Sequence, residues 1–474
     1  MSLFRASVVG PIEDASRNRA PTGVQLTMAS LVLSLASVGV VVLPAQVAGA
    51  STDAVTTCSG VASTPGSLPY EVANAGSGDT ITFAPSLSCP PTSPITVTYG
   101  LRISQNLNIT GPGAGTMAVS SGGQGSVFQV TAVTAISGLT IENGQSGNGG
   151  GITINHGTVT LTDDTLSGNS EHLDGGGAIY NSGGVVNITD STLSNNSALA
   201  ASAGGAIFNA GTLTITNSTL SGNSAPNDPG GAIYNESTAT LTDDTLSGNS
   251  ARADEGGGGI FNDATLNMGA TILADNTAGD CWNDNLSNNG GVFNDEGYNI
   301  ADDATCGFTA TSSTNDSTTL DASLGSLQNN GGTTDTILPS PTSPAVGVIP
   351  KPTTLGSVSV CPRADQRGVA SFGQCTIGAV EGGFLITTTS LPSAAPGTPY
   401  GPVTLTTQES GADATFKWKK VKLPKGLKLS SAGVLSGTPN KKLKAGPSSV
   451  TAKVTEKVGR TKTTVQATIP LTIT

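Results

Sequence analysis

From residue 158 onward the chain alternates polar and apolar positions in short runs. Thr158-Val159-Thr160-Leu161-Thr162, Thr212-Leu213-Thr214-Ile215-Thr216 and Ala264-Thr265-Leu266-Asn267-Met268 are examples. A period of two predicts half-buried strands, and Thr, Val and Ile suit a pleated surface. Apolar spacing of three and four, which a helix requires, does not persist in this region. Gly-Gly pairs and Gly-Asn or Asn-Ser steps end the runs as turns do.

The runs belong to a larger repeat. With small variations, each copy reads Gly-Gly-Ala-Ile-Tyr/Phe-Asn, an alternating run, then Leu-Ser-Gly-Asn-Ser. One landmark asparagine falls at Asn155, Asn181, Asn209, Asn235 and Asn262. The other falls at Asn169, Asn196, Asn223, Asn249 and Asn276, in steps of 27, 27, 26 and 27 residues. A fixed period of this size means one unit stacked on itself. About 27 residues make a coil of three short strands, and coils stack at about 4.8 Å. The expected architecture is all-β: a right-handed parallel β-helix of nine to ten coils. Stacking predicts internal ladders of Ile188, Ile215, Leu241 and Met268, and of Leu166, Leu193, Leu220, Leu246 and Leu273. The asparagines would form two more at the turns. Ile179, Ile207, Ile233 and Ile260 should point inward, which turns Tyr180, Phe208, Tyr234 and Phe261 outward. Those rings are either a platform for sugar faces or are covered by the loops ending in Gly-Gly.

The ends read differently. Arg5, Arg17 and Arg19 precede an apolar stretch at 24–44, followed by Ala48-Gly49-Ala50, which fits a secretory signal occupying 1–50. An uncleaved membrane anchor is the alternative. Six cysteines suit an oxidising destination and fall in sequential pairs, Cys58–Cys89, Cys281–Cys306 and Cys361–Cys375, although six thiols permit about fifteen connectivities. With no CxxC and only His156 and His172 as imidazoles, no metal site or cofactor is expected. Residues 51–75 read as a cap over the open end, with Ser67 and Pro69 starting a short helix. The β-helix proper is expected over 76–280, and a disulfide-bearing closing region with the last coils over 281–383. Residues 386–474 carry 13 bases and 3 acids, a balance of +10, whereas 51–385 carry 5 bases and 28 acids, or −23. Such asymmetry suits either contact with an anionic polymer or a soluble lysine-rich surface.

Several motifs resemble those of the choice-of-anchor Q domain proteins of bacterial surfaces. They are Asp280-Cys281, Gly297-Tyr-Asn-Ile300, Cys306, Leu327-Gln-Asn-Asn-Gly-Gly-Thr333, Ser343-Pro-Ala345, Asp365-Gln-Arg-Gly-Val369 and Cys375-Thr-Ile-Gly-Ala-Val-Glu381. The resemblance runs from about Cys58 to Glu381, and the repeats are similar in style to polymorphic outer-membrane protein repeats. It implies a secreted β-helix. The family's acidic residue after Ser-Pro-Ala-Ile is replaced here by Ser-Pro-Ala-Val-Gly. Leu423-Pro-Lys-Gly-Leu-Lys-Leu429 with Gly433-Val-Leu-Ser-Gly-Thr-Pro439 resembles the Ig-like module of bacterial surface proteins, which implies an antiparallel β-sandwich.

Two function classes follow. The first is a secreted or surface-associated scaffold or adhesin, monomeric, holding a polysaccharide or envelope polymer. It would touch no nucleic acid and be peripheral at most to the membrane. The second is a β-helical polysaccharide lyase or glycosidase, because parallel β-helices include such enzymes. Its carboxylates would be Asp163, Asp190 and Asp243, six residues before the landmark asparagine, with Asn217 between them and Ala270 last. Arg252, one of five cations between Ser51 and Leu385, is the candidate base, although Asp254 and Glu255 beside it explain it as an ion pair. The first class is the expectation.

Overall fold

The computed structural model describes residues 50–474 except 200–203, 254–255, 285–289, 341–342, 356–357, 362–363, 370–373, 383–384, 387, 389, 409–414 and 459–460. The signal reading at 1–50 therefore lies, save for its last residue, outside the described residues.

The alternating runs pair in parallel, each with the run one coil away. They build a solenoid of about nine turns whose faces are sheets of ten, nine, eight and five strands. Thr158–Thr162 sits between Val133–Ser137 and Val185–Thr189, and the series continues to Val292–Gly297. The expected ladders form in register. Ile188 pairs with Ile215, Leu241 and Met268 in turn, and Leu166 with Leu193, Leu220, Leu246 and Leu273. All of these side chains are buried in one core running from Val55 to Phe308. Each contributes about 1.5–3 kcal/mol relative to exposure.

Three local expectations are corrected. Middle coils have four strands rather than three, because two-residue strands such as Ser170–Glu171 and Ser224–Ala225 form the five-stranded sheet. Asn155 does not join the first asparagine ladder. Ile154 lies opposite Asn181, and Asn155 lies opposite Ser182 and is exposed. The strand Thr52–Val55 precedes the capping helix and pairs with Asp79–Phe83, so the sheet begins earlier than its clearest pattern. The helix itself spans Leu68–Asn74. Ser67 Oγ accepts the Tyr70 N–H at 3.2 Å, and Leu68 and Val72 are buried against the first coils.

After Ile300–Ala301 the coils stop. The chain turns back along the outside of the nine-stranded sheet, and a satellite core joins Ala270, Ile272 and Ile300 to Leu320, Ile349, Val360 and Ile377. Disulfides join Cys58 to Cys89, Cys281 to Cys306 and Cys361 to Cys375. The C-terminal part has two three-stranded antiparallel sheets, Thr415–Lys422 with Gly446–Val458 and Thr461–Ile473, and Tyr400–Thr404 with Val434–Gly437 and Leu427–Leu429. They share a core containing Trp418, Leu435, Val450 and Ile469.

Candidate functional site

The aspartate row is built by turn geometry. Asp163, Asp190, Asn217, Asp243 and Ala270 have φ of 57°, 51°, 57°, 57° and 53°. This left-handed conformation is tolerated best by Asn and Asp among residues with a side chain. The following residues form a buried polar ladder. Asp164 accepts the Leu139 N–H at 2.8 Å and the Thr162 N–H at 3.1 Å. Its own N–H donates to Ser191 Oγ at 3.1 Å, the Ser191 N–H to Ser218 Oγ at 3.1 Å, and the Ser218 N–H to Asp244 Oδ1 at 2.8 Å. Burial pushes Asp164 up to about 8 and Asp244 well above the usual carboxylate range, against the pull of those backbone donors.

The returning segment lies against the row itself. Thr333 Oγ1 donates to Asp163 Oδ1 at 2.5 Å, and Thr334 Oγ1 to the Asp190 carbonyl at 3.1 Å. Asn217 Nδ2 donates to Asp190 Oδ1 at 2.5 Å and to the Ala364 carbonyl at 3.2 Å. The Gly378 N–H reaches the Ala270 carbonyl at 2.8 Å. Asp243 is 2% exposed, and among the described residues only the Cys361 backbone faces its carboxylate as a donor, short of a formed hydrogen bond to either oxygen. Burial raises it to about 8, opposed by the Cys361 backbone and assisted by the charge of Glu381; burial likewise raises Asp190 to about 6. The chain's own segment therefore buries Asp243 and hydrogen-bonds to Asp163 and Asp190, which stay half-buried.

Arg252 is not brought to the row. It follows the two-residue strand Ser250–Ala251, on another face of the coil, and its N–H donates to the Asp228 carbonyl at 3.0 Å. Its sequence neighbours Asp254 and Glu255 lie outside the described residues. Among the described residues, the guanidinium held near the row belongs to Arg367, whose Nε donates to Asp365 Oδ2 at 2.9 Å and whose NH2 donates to the Glu381 carbonyl at 2.8 Å. That pair is nearly solvent-free and fixes the returning segment. The Asp365-Gln366-Arg367 motif is thus a clasp. Only its specificity as a motif marked it in the sequence, since its partners are far along the chain. His156 and His172 are exposed.

The aromatic row stacks on itself. Ring centroids are 5.3 Å apart for Tyr180–Phe208, 5.6 Å for Phe208–Tyr234 and 4.8 Å for Tyr234–Phe261, all close to parallel. Phe208 and Phe261 are buried, Tyr180 and Tyr234 half-buried. A Cβ at Gly175 would lie 2.9 Å from the Tyr180 ring, so that loop approaches the row closely. The ring faces are spent on one another, leaving edges. Trp282 continues the row opposite Phe261 and is 47% exposed; alternation past Cys281 marks it, but the repeat has dissolved there.

Two other surfaces are open. The outer face of the ten-stranded sheet carries Thr158, Val185, Thr212, Thr238 and Thr265 in one column and Thr160, Asn187, Thr214, Thr240 and Asn267 in the next. All ten are at least partly exposed and none is charged. A cleft of about 430 Å³ lies between the cap and the strand Leu101–Ile103, lined by Val61, Pro69, Val72 and Arg102 among others. Among its described lining residues Arg102 is the one ionisable group.

Residues 383–473 match the family model described as "Putative Ig domain". The C-terminal module is Ig-like. Its two antiparallel sheets and shared core agree with that match. No curated protein matches the chain. Three disulfides point to an oxidising environment, and no helix among the described residues is long and apolar enough to cross a membrane.

Proposed function

We propose that this protein is a secreted, non-catalytic surface scaffold or adhesin of the choice-of-anchor Q type, whose β-helix contacts a glycan or envelope polymer. The observation that carries this reading is the uncharged Thr and Asn face of the ten-stranded sheet, open and repeating from coil to coil. Columns of hydroxyls and amides at about 4.8 Å steps suit a neutral polymer that offers hydroxyls at regular intervals. The ladders beneath hold this face rigid, so little ordering entropy opposes binding. The Ig-like module, with its excess of lysine, supports a role as a spacer or as a contact for anionic polymer. The burial of Asp243 and the hydrogen bonds that tie Asp163 and Asp190 to the returning segment speak against turnover at that row.

The test incubates the purified protein with neutral and acidic polysaccharides, measuring polymer length by light scattering and co-elution by chromatography. The expected result is unchanged length with co-elution of one polymer, weakened by Thr214→Lys with Thr240→Lys. Shortening of any polymer overturns the non-catalytic reading. Co-elution insensitive to the double variant overturns the assigned face.

A further inference from the structure

At the C-terminal end of the solenoid, three carboxylates converge where the last coil is closed. Asp280 precedes the strand Cys281–Asn283, and Asp302 and Asp303 follow the strand Ile300–Ala301. The Cys281–Cys306 disulfide, with Cα atoms 4.7 Å apart, ties these segments together. One carboxylate oxygen from each of the three lies within 4.8 Å of the others. Asp321, in the short 3-10 turn Asp321–Ser323, and Asp275 both act on the group through their charge or hydrogen bonds.

Acidic neighbours alone are common on a protein of this charge. What sets this group apart is Asp280, which is fully buried. Its Oδ1 accepts the Asn276 side-chain N–H at 2.7 Å, but its Oδ2 is shut from solvent and meets no donor among the described residues, since the Asp302 carboxylate beside this group could only share a proton with it. The charged groups facing Asp280 are Asp302 and Asp303, and those facing Asp321 are Asp302 and Asp275; all are carboxylates. An unpartnered buried carboxylate oxygen among like charges needs either a proton or a cation. The remaining oxygens are already oriented. Asp302 Oδ2 accepts the Asp275 N–H at 2.7 Å, and Asp303 accepts the Asp280 N–H at 3.1 Å and the Thr305 N–H at 2.8 Å. Asp302 and Asp303 are half-buried and Asp321 is exposed, so an ion has a path from solvent.

We propose that Asp280, Asp302 and Asp303 form a calcium site that latches the end of the β-helix, with Asp321 closing it from the solvent side. A hard cation with flexible coordination by six to eight oxygens fits an all-oxygen set drawn from separate segments, whereas magnesium demands a tighter octahedron. The ion neutralises the Asp280 charge and ties the coil ending at Asn276 to the strand at Ile300. Because the latch joins the last parallel coil to the returning segment, it governs local opening of that end rather than the middle coils.

The test uses the full chain stripped with chelator, titrated calorimetrically with calcium chloride or magnesium chloride, and melted with and without each ion. The expected result is saturable calcium binding with a dissociation constant of about 10⁻³ M or tighter, and a higher melting temperature with calcium. Asp280→Asn keeps the Oδ1 acceptor for Asn276, so it should fold. It should lose calcium binding at least tenfold and, in chelator at neutral pH, melt no lower than the unsubstituted protein. Absence of saturable calcium binding overturns the site, leaving a shared proton as the explanation. Equal binding by Asp280→Asn does the same, and equal affinity for magnesium overturns the calcium assignment. Should Asp280→Asn not fold, Asp303→Asn takes its place with the same criteria.

Discussion

Thr219 donates its hydroxyl to Oε1 of Gln366 at 2.6 Å, although the two residues stand 147 positions apart. The same Gln366 uses Nε2 to reach the Ser191 carbonyl at 3.0 Å, Thr192 Oγ1 at 2.9 Å and Thr334 Oγ1 at 3.0 Å. One buried amide thereby joins two coils of the solenoid to two parts of the returning segment. Gln366→Ala leaves several of these groups unpaired, each worth about 1–3 kcal/mol when buried. The expected outcome is a loss of about 2–4 kcal/mol, given partial relaxation, with earlier proteolysis in 324–381 than in the coils. Denaturant unfolding and limited proteolysis read the two effects. Proteolysis starting in the coils would contradict the clasp.

The second asparagine ladder makes a sharper test. Oδ1 of Asn223 accepts both the backbone and side-chain N–H of Asn196, at 3.1 and 2.9 Å, while its Nδ2 donates to the Leu193 carbonyl at 3.0 Å and to Asn249 Oδ1 at 2.9 Å. Asn223→Asp keeps the acceptor, loses the donor and buries a charge beside Asn249 Oδ1. Asn223→Ala loses both roles without adding a charge. At neutral pH both variants should lose about 2 kcal/mol or more. On acidification Asn223→Asp should recover relative to Asn223→Ala, because its protonated carboxyl can donate again. Parallel behaviour of the two across pH would mean that donation by Nδ2 contributes nothing.

The aromatic row yields a prediction about position along the stack. Phe208 is buried between Tyr180 and Tyr234, whereas Trp282 ends the row half exposed. Phe208→Ala should cost about 3–5 kcal/mol through the cavity and two lost stacking contacts. Trp282→Ala should cost much less, since its side chain is 47% exposed and leaves a smaller cavity. Urea midpoints of the two variants decide it; equal costs would show that the stack contributes little beyond burial.

The internal ladders were legible because Leu166 and its counterparts recur at one period with a fixed polar frame, and inward alternation follows from that. The slip at Asn155 was not legible: the letters match the landmark, yet the pairing of Ile154 with Asn181 is set by register in the first regular coil. Ser-Ala pairs are too short to show alternation, which hid the fourth strand. The largest omission concerns the site. Asp163, Asp190 and Asp243 read as candidate carboxylates of an enzyme because nothing local reveals that Thr333, Thr334 and Cys361 come to lie against them. Those contacts come from irregular chain, which leaves no periodic trace. The acidic group at Asp280 escaped for a similar reason, since its members are spread over three segments that only the fold unites.

Asp243 carries the pH dependence. Its carboxyl is raised to about 8 in the folded chain by burial, while an unfolded aspartate titrates near 3.8. Between those values the unfolded chain holds fewer protons at this position than the folded one, so stability is fullest in acid and falls as pH rises from about 4 through about 8. Asp164 and Asp244 shift in the same direction, so the protein as a whole should lose stability over that window unless other groups oppose it. The difference between the protein and Asp243→Asn isolates one contribution. Asparagine cannot ionise, so the variant should match the parent near pH 4 and become progressively more stable than it toward pH 8. Urea midpoints for the pair at half-unit pH steps measure this directly. A difference that shrinks or reverses with rising pH would mean that Asp243 is charged in the folded state, with a partner that holds it so.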